Sequence, residues 1–176
     1  MKIEIPERGS KEYYDEYLYI LTKYKKLINN PHIKITKLTN ESFRLCLLSI
    51  IMTILMFIIF IINTDNKVFL YLGIFFILLI ILSVIYYYII TTNINKLRSN
   101  KGLITIEFNK DKIQYITKDK QLDILWDDIK YIIINKYTIT FIPYEINKTI
   151  LSINITYKEE LFKILKKLKK EDLIVK

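Results

Sequence analysis

The sequence contains no alanine, one cysteine, one histidine and three glycines, and each scarcity removes a class of chemistry. With only Cys46, no disulfide framework or cysteine-based metal site forms within one chain. His32 is equally alone, so the pairings that hold zinc or build a nucleophile and base are missing, and no metal or other cofactor is expected. Gly9, Gly73 and Gly102 lie far apart, which leaves no glycine-rich loop to cradle a phosphate. Asp127 and Asp128 are adjacent and point to opposite faces of any continuing strand, so they are not a catalytic pair. No enzyme is expected. The missing alanine, with heavy use of Ile, Lys, Asn and Tyr, is the usage of an AT-biased genome and suggests a low-GC bacterium.

What is present is segregated. Hydrophobic residues make up 52% of the 176-residue chain and charged ones 26%, yet Asp65 and Lys67 are the only charges between Leu45 and Ile90. Two uncharged runs fill that interval, 45–62 and 68–90. As helices they measure about 27 and 34 Å, against a hydrocarbon core of roughly 30 Å. Runs this apolar all round do not suit a small soluble domain. The first run begins only after 44 residues of mixed, largely polar sequence with no cleavage site behind it, so it is expected to stay as an anchor. The five residues Asn63 to Lys67 allow only a reversal, which predicts an antiparallel transmembrane hairpin.

Orientation follows from the basic residues. Five lie within the 20 residues before the first run (Lys25, Lys26, Lys34, Lys37 and Arg44), one lies in the turn, and four lie within the 20 after the second. The positive-inside rule therefore predicts a multi-pass protein of the cell (cytoplasmic) membrane with both termini cytoplasmic. Tyr86, Tyr87 and Tyr88 suit the aromatic belt at one interface. Besides these three tyrosines, Ser49, Thr53, Tyr71, Ser83 and Cys46 are the polar groups within the runs. No ionisable residue lies at depth, which argues against transport by a single chain.

The flanks read as a segment over 1–44 and a domain over 91–176. In the first, Ser10 is a predicted N-cap, and Tyr14, Tyr17, Leu18, Leu21, Tyr24 and Ile28 give an amphipathic helix over 11–29. It packs on the C-terminal domain or on a second copy of the chain, or it lies on the membrane; its acidic start favours packing. In the second, period-two alternation from Ile104 and regular polar clusters predict strands near 103–108, 112–117, 121–126, 129–134, 137–142 and 149–155, an antiparallel meander. Thr156-Tyr157-Lys158-Glu159 reads as a capping box, with Thr156 as cap and Glu159 reaching back. The following helix carries Leu161, Phe162, Ile164, Leu165 and Leu168 on one face and lysines on the other. The expected fold is a membrane α-helical hairpin plus a small α+β domain, its sheet closed by the C-terminal amphipathic helix.

At Gly102 to Phe108 and at Trp126-Asp127-Asp128-Ile129 the chain resembles the YcxB-like family of bacterial membrane proteins. The resemblance covers about 40–170 and implies two membrane helices followed by a pleckstrin-homology-like domain, with Trp-x-Asp-Ile as a step between strands. The family's aliphatic-proline pair late in the sheet is missing: Thr149-Ile150-Leu151-Ser152 stands there, and Pro143 is the nearest proline. On physical grounds Trp126 is a core anchor and Asp128 a turn residue.

The net charge of +9, with 17 basic and 11 acidic residues from Thr91 onward, is explained more simply by an anionic lipid leaflet than by nucleic acid, which is not an expected partner. Lys96, Arg98 and Lys101, nearest the second run, are the lipid-headgroup candidates. Two functions fit this balance. One is a non-enzymatic, membrane-anchored binding module whose cytoplasmic domain meets a protein partner or the anionic lipid surface, using a sheet edge or the groove beside the terminal helix. The other is self-immunity against a membrane-active bacteriocin or toxin.

Overall fold

The computed structural model describes residues 1–6, 9–63, 67–99, 103–118 and 120–175. They form two compact units, one from Thr36 to Ile94 and one that joins Met1–Ile35 to Asn95–Lys176.

The first unit holds most of two helices, α2 (Leu38–Ile62) and α3 (Val68–Ser99), long and apolar enough to cross a membrane by length and composition. Only 6% of the most apolar window of each is buried. Both extend past the uncharged runs, α2 back to Leu38 and α3 onward to Ser99. They are antiparallel: the Ser42 hydroxyl, early in α2, donates to the Ser83 carbonyl midway along α3 at 3.2 Å, while Phe57, late in α2, meets Gly73, early in α3. At the other end a Cβ on Gly73 would lie 3.1 Å from the Phe57 ring, so glycine permits the close approach. Thr53 and Ser83 bond the carbonyls of Ser49 and Leu79 one turn back, which satisfies hydroxyls that lipid could not. The reversal expected over 63–67 falls partly on 64–66, outside the described residues.

The second unit contains two antiparallel sheets, ordered β1-β2-β3-β4 and β5-β6-β7. The first comprises β1 (Lys2–Pro6), β2 (Leu103–Phe108), β3 (Lys112–Ile116) and β4 (Gln121–Leu125); the second comprises β5 (Ile129–Ile134), β6 (Thr138–Pro143) and β7 (Leu151–Asn154). The single meander expected from the sequence is broken at Trp126–Asp128. These residues form a 3-10 turn, so Trp126 is not the last residue of β4. β1 was not expected. Its Ile3 and Ile5 alternate with Lys2 and Glu4, and Ile3 pairs with Ile106, 103 positions away.

Ile3, Ile106, Phe108, Ile113, Ile124, Trp126, Phe141 and Ile153 share one core with Leu161, Ile164 and Leu165 of the terminal helix α4 (Lys158–Leu168). A register shift between Ile129 and Tyr131 turns both Ile129 and Ile132 into that core. Tyr131, Ile133 and Ile142 face the other way and meet Ile20, Leu27 and Ile28 of α1 (Lys11–Asn29). The second sheet is thus covered on both faces, and every residue of β6 is buried.

Hydrogen bonds fix α1 across that sheet. Tyr13 donates to the Ser152 carbonyl on β7 at 2.9 Å, Glu16 accepts from the Tyr137 and Thr138 amides beside β6, and Tyr131 on β5 donates to the Leu27 carbonyl. Lys130 reaches the Ile28 carbonyl at 2.9 Å, placing a cation on the unpaired carbonyls of the helix C-terminus. Ser10 is the N-cap, accepting from the Tyr13 amide at 3.1 Å. The N-terminal segment therefore belongs to the sheet domain, as a strand and a covering helix.

The predicted capping box is corrected. Asn154 is the cap: its side chain accepts from the Thr156 amide at 3.1 Å and opens a 3-10 turn, Ile155–Tyr157, that leads into α4. Thr156 instead hydrogen-bonds Asn154 through its hydroxyl. Tyr157 occupies the position before α4 without a side-chain cap bond. Glu159 is exposed in the first turn, where its charge favours the positive end of the helix. The last strand is shorter than expected, Leu151–Asn154, because the turn takes over at Ile155.

Candidate functional site

Two concavities of the sheet domain are lined by described residues. The larger is an open groove beside α4, about 960 Å³, bordered by Lys158, Phe162 and Lys166 of the helix and by Ile134 of β5. Residues of the chain's own C-terminal segment form its other wall. Ile174 bridges Ile132 in parallel, and the Val175 amide donates to the Ile132 carbonyl at 3.0 Å. The exposed edge of β5 beside the terminal helix is therefore met at this point by the chain itself.

The other is a more enclosed cavity of about 570 Å³. Ile5, Ile104, Ile106, Tyr115, Leu122 and Ile124 supply the wall from the first sheet, one or two from each strand. Tyr13, Tyr14 and Tyr17 project from the first turns of α1, and 149–157 on and around β7 contribute Leu151, Asn154 and Tyr157. Leu97, seven residues beyond Ile90 on α3, completes the wall.

The tyrosines are ordered by one another. Tyr13 and Tyr17 stack with ring centroids 6.3 Å apart, and Tyr13 meets Tyr14 edge-on at 5.1 Å. A Cβ at Gly9 would lie 2.6 Å from the Tyr13 ring, so the chain enters α1 with glycine where another side chain would push that ring away. Burial drives the Tyr13 hydroxyl well above the ordinary phenol range, and neighbouring Tyr17 adds to the shift. Burial also raises Tyr17. Tyr13 and Tyr17 are therefore neutral hydrogen-bonding groups, and the described lining residues include no Asp, Glu, Lys, Arg or His.

The residues singled out from the sequence are placed elsewhere. Lys96 and Arg98 are exposed on the last turn of α3, where their charge complements the helix C-terminus. Lys101 lies outside the described residues. Trp126 is 2% exposed; its Nε1 donates to the Asn109 carbonyl at 2.9 Å, its ring packs against Phe108 and Phe141, which also meet each other, and Lys170 lies 5.8 Å over it. Asp128 pairs with Lys148 at 3.4 Å, and its carbonyl accepts from the Tyr144 amide. Among the described residues no three His, Cys, Asp or Glu side chains converge as metal ligands.

The helical spacing of the N-terminal tyrosines was legible in the sequence, but Tyr13, Tyr115 and Tyr157 were not connected to it. Those three positions are 102 and 42 residues apart in sequence, and the pairing of β1 with β2 together with the docking of α1 on the second sheet brings the N-terminal segment to them. No protein-family model, curated protein or solved structure matches the chain.

Proposed function

We propose that this chain is a membrane-anchored, non-enzymatic binding module, with both termini in the cytoplasm and a pleckstrin-homology-like domain that binds its ligand in the tyrosine-lined cavity. The observation that carries this reading is the cavity: about 570 Å³, within the range of small-molecule sites, walled by aliphatic side chains together with tyrosine, threonine, serine and asparagine side chains. Anchoring is supported by two apolar helices with 6% of their most apolar windows buried, since such surface left in water would cost far more than a small domain gains by folding. The orientation rests on the five-to-one and four-to-one asymmetry of basic residues.

The pleckstrin-homology-like reading, and with it membership of the YcxB-like family, is supported by the division into four and three antiparallel strands, followed by a helix whose Leu161 and Leu165 enter the common core. Trp126-Asp127-Asp128-Ile129 stands at the step from one sheet to the other. Lys96, Arg98 and Lys101 add attraction to an anionic leaflet, roughly 1 kcal/mol for each charge near the surface. Alkaline carbonate extraction and reporter fusions test the reading together. The chain should stay in the membrane pellet, and a reporter active only outside the cell should work when inserted at Asn63 and be silent after Val175. Release into the supernatant, or activity after Val175, overturns it.

A further inference from the structure

The cavity has a polarity gradient that narrows what it can hold. Its floor is formed by Ile106, Ile124 and Leu151, all buried, while Thr149 and Thr156 stand exposed at its rim. An ionised ligand group enclosed there would find no opposite charge among the described lining residues and would bear the full cost of desolvation. A methylene occupies roughly the volume of a water, about 30 Å³, so a twelve-carbon chain needs about 360 Å³. That fits within the 570 Å³ present and leaves room for a small head group.

An extended peptide fits less well. β7 is one of the edge strands at the cavity, and the Tyr13 hydroxyl already takes its Ser152 carbonyl at 2.9 Å. Leu97 in the wall lies on the same helix as the apolar run ending at Ile90, seven residues further along the chain.

We infer that the cavity takes the alkyl chain of a single-chain membrane lipid with an uncharged, hydroxyl-bearing head, the chain against Ile106 and Ile124 and the head among the rim hydroxyls. This rests on the binding-module reading above and specifies its ligand.

The full chain in phosphatidylcholine nanodiscs, loaded with monododecanoylglycerol carrying a diazirine at the chain end, tests it. Photolysis should label peptides containing 104–124 or 149–157 as well as the apolar helices. Ile104→Trp and Leu122→Trp, which fill the cavity, should each reduce domain labelling at least tenfold while the melting midpoint stays near that of the unaltered chain. If a variant unfolds, a tenfold excess of unlabelled monododecanoylglycerol on the unaltered chain should suppress the domain label. Label confined to α2 and α3, label undiminished in folded variants or by competitor, or equal labelling by dodecyl phosphate carrying the same chain-end diazirine, a charged-head control, overturns the inference. Carbonate extraction scores anchoring separately, so a failed ligand and a failed membrane reading give different results.

Discussion

One oxygen of Glu16 accepts hydrogen bonds from the amide and hydroxyl of Thr138, 122 residues away, with the amide at 3.0 Å. The Tyr137 amide reaches the same oxygen at 3.2 Å. Glu16 is 3% exposed, so a residue of the acidic start of α1 caps the turn between β5 and β6. Glu16→Ala leaves buried donors without an acceptor, each costing about 1–3 kcal/mol, and should destabilise the domain by about 3 kcal/mol or more. Glu16→Gln keeps an acceptor oxygen and should cost less. Denaturant titration of the full chain in detergent, followed by Trp126 fluorescence, measures both; equal losses would mean that the charge itself is what matters.

Trp126→Ala removes a buried ring packed against Phe108 and Phe141 together with the bond to Asn109, and should cost about 3–5 kcal/mol. Trp126→Phe keeps the ring contacts and gives up the indole donor, so its loss should be clearly smaller. Thermal midpoints of the two variants check the order.

The domain needs its N-terminal segment. A fragment of 93–176 lacks β1 and α1 and so bares Tyr131, Ile133 and Ile142 along with one edge of the first sheet. It should aggregate or stay unfolded. Joining 1–35 to 95–176 through a flexible linker of about 20 residues, with a root-mean-square reach of roughly 25 Å, should give a soluble, cooperatively melting domain. A cooperative melt from the short fragment alone would show that α1 is dispensable.

Stability should fall at alkaline pH. Tyr13 titrates above its ordinary value of 10.0 in the folded state because burial disfavours the phenolate. Between that value and the folded one the unfolded chain binds fewer protons, so unfolding becomes easier as pH rises. Tyr13→Phe loses the bond to Ser152, about 1 kcal/mol at neutral pH, but should also flatten the decline of stability above pH 10. An unchanged slope in denaturant midpoints taken from neutral pH to above 10 would show that Tyr13 is not the buried group.

Hydropathy and local pattern determined a good deal by themselves. The two apolar helices follow from uncharged runs long enough to span, α1 from the tyrosine spacing behind Ser10, and most strands from alternation between polar clusters, all interactions within a few residues. What the tertiary structure decided depends on partners distant in sequence. β1 is five residues with two isoleucines, too short to declare itself until Ile3 meets Ile106. The run Tyr131-Ile132-Ile133-Ile134 carried the signal that β5 is covered on both faces, but not that α1 covers it. The capping choice was local yet close: Asn154 and Thr156 are both good caps, and the 3-10 turn begun at Asn154 moved the start of α4 past Thr156. The cavity could not be read locally at all, because its walls come from α1, α3, both sheets and the turn before α4, which only long-range packing brings to one place.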